Sequence, residues 1–222
     1  MILARILCLL GGYCLGLIQT SYIYGRMNGI DIREHGSGNA GTTNALRVLG
    51  KKAGLIVLLG DFFKAFFACL IARIVMGHFA PDEVYLYIAY AGFGAVLGHN
   101  FPFYLSFKGG KGIAATAGII AGTFDPIIMM SCLFAFIIIV VITKYVSVGS
   151  IVVVTILAVE YGIFAFNGNY SFNLENETSH NAMIESVVVF AILALMAIYR
   201  HKANIIRLIH HEENKIGAKK EA

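Results

Sequence analysis

The sequence predicts an all-α integral membrane protein of about seven transmembrane helices, N-terminus outside and C-terminus cytoplasmic, forming a single domain over residues 1–222. Three observations predict it. The chain is 58% hydrophobic and only 14% charged, with mean hydropathy +0.76, whereas a soluble domain carries roughly 25% charged residues. Apolar runs recur, several of them of span length, separated by polar, glycine-dense islands. Lys and Arg fall almost entirely on alternate loops.

Residues 1–21 are apolar with one charge, Arg5, and run into a polar stretch with no clear cleavage site, so they read as a retained first helix rather than a signal peptide. Residues 53–76 form the second span, interrupted by Asp61 and Lys64. Ionisable groups in a span cost roughly 2.5–3.5 kcal/mol each, and these two, three positions apart on one helix face, are placed to pair. Residues 83–98 form the third. Residues 113–123 are short, about 17 Å as a helix at 1.5 Å per residue, and Asp125-Pro126 then breaks the chain. Residues 127–142 and 146–166 are strong spans joined by Thr143-Lys144-Tyr145, residues 167–181 a polar loop, 182–198 the last span, and 199–222 a basic cytoplasmic tail. Glu160 and Glu185 fall on or near the last two spans, as polar contacts without an assigned partner.

Charge parity orients the bundle. Placing the first polar island in the cytoplasm also places there the second island, the Lys144 turn and the tail. Those segments hold all of the 17 Lys and Arg except Arg5, Lys64 and Arg73. The opposite loops carry Asp82, Glu83, Asp125, Glu175 and Glu177 and no Lys or Arg, a strong positive-inside pattern. All the polar islands then share one face. The four cysteines, Cys8, Cys14, Cys69 and Cys132, lie in apolar runs without metal-ligand spacing and read as packing residues.

The first island is His35-Gly36-Ser37-Gly38-Asn39-Ala40-Gly41-Thr42-Thr43-Asn44-Ala45-Leu46-Arg47. Its Gly36-x-Gly38-x-x-Gly41 matches a dinucleotide fingerprint in letters alone, because that fingerprint needs a preceding strand. Its local physics fits an oxyanion. Glycines let backbone approach closely, Ser37, Asn39, Thr42, Thr43 and Asn44 offer donors, Thr43 or Asn44 is placed to cap a short helix running to Leu49, and Arg47 adds a planar fork. The second island runs from Gly98 to Gly112, and its Phe107-Lys108-Gly109-Gly110-Lys111-Gly112 repeats the logic ahead of another helix; lacking a Ser or Thr after the lysine, it is not a Walker A loop. In the tail, His201, Asn204 and Arg207 share one helical face. His210, His211, Glu212 and Glu213 are adjacent rather than helically spaced, so no metal site is expected.

Together with Gly98-His99-Asn100-Phe101-Pro102 and Gly60-Asp61-x-x-Lys64, these islands closely resemble the bacterial acyl-phosphate:glycerol-3-phosphate acyltransferases, the PlsY family, in order along nearly the whole chain. The resemblance implies a seven-helix enzyme of the bacterial inner membrane that moves a fatty acyl group from acyl phosphate to the sn-1 hydroxyl of glycerol 3-phosphate. It implies catalytic parts for Ser37, Arg47, Lys111 and His201. It implies substrate contacts from Gly38, Asn39, Gly41, Thr43, Asn44, Lys108, Gly109, Gly110, Asn204, Arg207 and the tail glutamate Glu213. No cofactor, metal or nucleic acid is expected; the partners are the two substrates, the bilayer and the enzyme that produces acyl phosphate. One departure bears on the turn of the tail: His211 stands where the family usually has glycine, two residues before that glutamate.

Acyl phosphate is already an activated anhydride, so direct attack by the glycerol hydroxyl is expected, with Ser37 a donor to phosphate rather than a nucleophile, and with either His201 or a substrate phosphate taking the proton. The rival reading is a transporter for a phosphorylated solute, disfavoured by polar islands confined to one face and by the lack of a clear inverted repeat.

Overall fold

The computed structural model describes residues 2–167 and 180–216. Most of the polar loop expected over 167–181, with Glu175 and Glu177, and the tail lysines Lys219 and Lys220 lie outside the described residues. Among the described residues the chain is helical, with no strand. The helices are α1 (Ile2–Gly16), α2 (Thr20–Met27), α3 (Thr42–Phe79), α4 (Val84–Asn100), α5 (Ile113–Thr123), α6 (Pro126–Thr143), α7 (Val146–Asn167), α8 (His180–Arg200) and α9 (Lys202–Ile209).

Their boundaries follow local chemistry. Asp125 caps α6 by accepting from Ile127 N and Ile128 N at 2.9 and 3.0 Å, with Pro126 in the first turn where no N–H is needed. Lys144 ends α6 in a left-handed conformation, φ 64°. Gly50, at φ 86° and ψ −176°, kinks α3 and separates the short helix expected to run to Leu49 from the span that follows.

Among the described residues, five segments are long and apolar enough to cross a membrane: Ile2–Met27, Thr42–Phe79, Pro126–Thr143, Val146–Phe166 and Asn181–Arg200. The sequence expects seven. The other two, α4 and α5, are shorter, and α4 is central: it packs against α1, α3, α5 and α8 and buries Tyr87, Ile88 and Val96. A close α1–α4 crossing makes that possible. A Cβ on Gly12 or Gly16 would overlap the carbonyl of Ala91 or Ala95, and one on Gly94 or Gly98 would overlap that of Leu9 or Tyr13. Two glycine pairs four apart thus bring the backbones together, as small residues do where helices pack within a membrane. On the outside, α6 buries Ile128 and Cys132 and leaves Ile138, Val141 and Ile142 exposed, an apolar face suited to lipid.

Charges inside the bundle are paired. Lys64 meets Asp61 at 2.8 Å, as the spacing predicts. Arg5 on α1 binds Glu185 on α8 through two bonds of 2.8 and 2.9 Å, and Tyr90 on α4 donates to the same carboxylate at 2.7 Å. Ser131 on α6 donates to Glu160 on α7 at 2.5 Å. The two glutamates without an assigned partner in the sequence therefore tie helices together.

Candidate functional site

The first island folds back on α3 through one side chain. Asn44, nearly fully buried, accepts from Ser37 N at 2.8 Å and donates to the carbonyls of Ile32 and His35 at 3.0 and 2.9 Å. Its role corrects the expected cap: α3 begins after Gly41 with no side-chain cap, and Asn44 braces the loop instead. The uncapped first-turn N–H groups remain available to an anion. Gly36 is required in this loop, since it sits at φ 62° and a Cβ there would overlap Asn44 Oδ1. Upstream, Asp31 accepts from Arg33 N and Nε at 3.0 Å and from Nη2 at 2.6 Å, and these bonds hold its carboxyl down at about 2.

The second island docks beneath it. Gly109 N and Gly110 N donate to the carbonyls of Asn100 and His99, and Arg200 Nη2 donates to the carbonyls of Gly109 and Gly110 at 3.1 and 2.8 Å. A Cβ at either glycine would overlap His99. This packing delivers Lys111 to Asn204 Oδ1 on α9, to which its ammonium donates a short hydrogen bond. From the tail, Glu213 accepts from Asn204 Nδ2 and Arg207 Nε, each at 2.7 Å, and from Ser147 on α7 at 3.1 Å.

A cleft of about 880 Å3 joins these parts. Its polar end is lined by Ser37, Asn39, Gly41, Thr43, Asn44, Arg47, Lys111, His201, Asn204, Arg207 and Glu213, so the structure brings together most of the residues singled out in the sequence. It does not bring Gly38, Lys108, Gly109 or Gly110 to the lining. Lys108 is exposed outside the cleft, and the glycines act through backbone geometry. From the polar end the cleft continues as an apolar groove past Leu58 and Phe62 of α3, Ala114, Ala117 and Ala121 of α5, and Met129, Leu133 and Phe136 of α6.

Electrostatics favour an anion. Arg47 has no hydrogen-bond or ion-pair partner among the described residues and faces the cleft. Burial, reinforced by the nearby Arg207, Arg200 and Arg47, lowers the Lys111 ammonium to about 8. Burial also lowers His201 to about 4, so its ring is neutral at pH 7. Its Nδ1 contacts the Ala197 carbonyl at 2.8 Å and must be the protonated nitrogen, leaving Nε2 unprotonated. Burial works against ionising Glu213, but the bonds from Asn204 and Arg207 prevail and hold its carboxyl below the usual range.

Thr42, read from the sequence as a donor of the first island, also lines the cleft. Several lining residues were not singled out as site residues from the sequence: Asp61, His99, Ser147, Ser150 and Lys215. Ser147 and Lys215 had no sequence signal, because what recruits them is a tertiary contact: Ile216 N donates to the Lys144 carbonyl at 2.8 Å, strapping the tail across the α6–α7 turn.

Comparison with known proteins places this architecture among relatives. The family model described as glycerol-3-phosphate acyltransferase matches residues 6–211. A glycerol-3-phosphate acyltransferase of Clostridioides difficile (strain 630) is 41% identical over 214 residues, 94% of each chain. One of Halalkalibacterium halodurans is 38% identical over 216 residues, 97% of each. Among solved structures, the crystal structure of PlsY, an integral membrane glycerol 3-phosphate acyltransferase, in its glycerol 3-phosphate form superposes with a TM-score of 0.76 at 30% identity, covering 96% of each chain. Its lysophosphatidic acid form gives 0.75 at 28% identity, covering 96% of this chain and 95% of that one.

Proposed function

The chain belongs to the glycerol-3-phosphate acyltransferase family, and on that premise we propose that it transfers a fatty acyl group from acyl phosphate to the sn-1 hydroxyl of glycerol 3-phosphate, releasing lysophosphatidic acid and inorganic phosphate. The observation that carries this reading is the continuity of one cleft: a cationic, hydrogen-bonding mouth at Ser37, Arg47 and Lys111 opens into an apolar groove along α5. Phosphates fit the first and an acyl chain the second. The glycerol 3-phosphate and lysophosphatidic acid forms of PlsY support a substrate and product of the same kind here.

In this mechanism the glycerol hydroxyl attacks the acyl carbonyl carbon. A new ester C–O bond forms and the C–O bond to phosphate breaks. Arg47, Lys111 and the first-turn N–H groups of α3 stabilise the negative charge that develops on the carbonyl oxygen and leaving phosphate. Ser37 donates to phosphate and forms no acyl-enzyme. The hydroxyl proton goes to a substrate phosphate, whose second pKa is about 6, rather than to His201, which at about 4 is the weaker base. Neutral His201, with Asn204, holds the substrate instead.

The topology proposed with this function is seven spans, N-terminus outside, the mouth and tail cytoplasmic, in the bacterial inner membrane as one domain. The charge asymmetry supports it. An enzyme that makes acyl phosphate must supply the donor. The test is phosphate release by purified protein given acyl phosphate, with and without glycerol 3-phosphate. A serine acyl-enzyme trapped in single turnover would sink direct attack.

A further inference from the structure

His99 is the cleft residue whose chemistry is fixed by groups behind it. It sits one residue before the end of α4, is 2% exposed, and lines the cleft. Its Nδ1 lies 2.8 Å from Lys64 Nζ. Lys64 Nζ also donates to the Ile18 carbonyl at 2.7 Å and to Asp61 Oδ1 at 2.8 Å, so all three of its protons are placed. An ammonium has no lone pair. With Lys64 protonated, Nδ1 at 2.8 Å is the acceptor and the ring proton sits on Nε2. Asp61 Oδ1, 2.8 Å from Lys64 Nζ and 3.5 Å from the same Nδ1, keeps the charge on the lysine, which is the nearer of the two groups to the ring.

The Nε2–H is a donor without an acceptor. No described residue hydrogen-bonds it. It abuts Gly110, where a Cβ would overlap it, and the same missing Cβ would come within 2.6 Å of the Ala40 carbonyl. The nitrogen thus stands where the first and second islands meet, beside the turn that delivers Lys111. A neutral donor in this place, backed by a buried ion pair, suits an anionic oxygen.

The geometry points to His99 as a phosphate-binding residue of the site: its Nε2–H donates to a phosphate oxygen lodged at the Gly110–Lys111 turn, and Asp61 and Lys64 are positioning residues that fix its tautomer. The assignment rests on the acyl-transfer reading for the identity of the phosphate, which belongs either to acyl phosphate or to glycerol 3-phosphate.

Two substitutions in the full-length protein separate binding from architecture. His99→Asn keeps an oxygen for Lys64 at the Nδ1 position and loses the Nε2 donor. His99→Gln reaches the Nε2 position with an amide N–H and loses the acceptor for Lys64. The expected result is a KM raised about 10- to 100-fold for one substrate in H99N, the loss typical of a hydrogen bond to a charged group, with thermal unfolding unchanged, and a smaller rise of the same KM in H99Q. Whichever KM rises names the phosphate. A purely structural His99 predicts the reverse order, H99Q impaired and H99N normal, and that result overturns the assignment. If the variants do not insert, a crystal structure of the wild-type protein with glycerol 3-phosphate and one with a non-hydrolysable acyl phosphate analogue decide it. Nε2 within about 3.2 Å of a phosphate oxygen in either is expected; its absence from both overturns the proposal. Lack of turnover by wild-type protein would refute the transferase reading alone, since the distance to a bound phosphate is read independently.

Discussion

Lys111, in the loop ahead of α5, donates a hydrogen bond to the side chain of Asn204 on α9. That contact joins the second glycine-rich island to the C-terminal helix, and Asn204 passes it on to Glu213 at 2.7 Å. Replacing Lys111 by Ala should reduce activity by at least about 100-fold, the scale of removing one transition-state donor, while the protein still inserts. Retained activity would refute the site assignment.

The same lysine gives a pH dependence. Its ammonium titrates at about 8 instead of 10.5, so its charge falls as pH rises through 8. Glycerol 3-phosphate affinity, measured by calorimetry, should weaken between pH 7 and 9 in the wild type and less so in Lys111→Arg, whose charge persists. For stability the sign is opposite. Between about 8 and 10.5 the unfolded chain holds the proton that the folded one has lost, so this group makes folding more favourable as pH rises across that window.

The tail makes a backbone prediction. His211 adopts φ 60°, the left-handed region that glycine enters without strain and that costs other residues roughly 1–2 kcal/mol. A histidine thus forms the turn at the position where the sequence resemblance leads glycine to be expected. His211→Gly should retain activity and thermal stability. His211→Val, a β-branched residue at the same φ, should lower both, with activity lost as Glu213 leaves Asn204 and Arg207. Equal behaviour of the two variants in a melting assay would contradict this origin of the turn.

Behind the cleft, Lys64→Met leaves Asp61 charged and buried, a change that typically costs about 3–5 kcal/mol. Asp61→Asn with Lys64→Met should recover much of that stability in a chemical-unfolding assay. Activity should stay low in the double variant, because nothing then fixes the His99 tautomer. Recovery of activity together with stability would show that the pair serves packing alone.

What the sequence made legible was what depends on neighbours in the chain. The expected span over 53–76, the short helix to Leu49, the Asp125-Pro126 start of α6 and the residue 113–123 helix all appear, because period, caps and breakers are local. The Asp61–Lys64 pair was legible as one turn of helix. The third member, His99, was not, since only the α3–α4 packing brings it to Lys64. Arg5 and Glu185, at opposite ends of the chain, are likewise joined only by the α1–α4–α8 arrangement. Asn44 was legible as a site residue but not as a brace. A cap and a loop brace use the same amide, and the choice depends on where the Ile32 and His35 carbonyls fall.

The most direct test of the central claim is turnover. Purified full-length protein is mixed with acyl phosphate and glycerol 3-phosphate, and inorganic phosphate and lysophosphatidic acid are followed together. Stoichiometric release of both, dependent on both substrates, is the predicted result. No turnover, alongside glycerol 3-phosphate flux in liposomes carrying the protein, would contradict acyl transfer and favour a transporter.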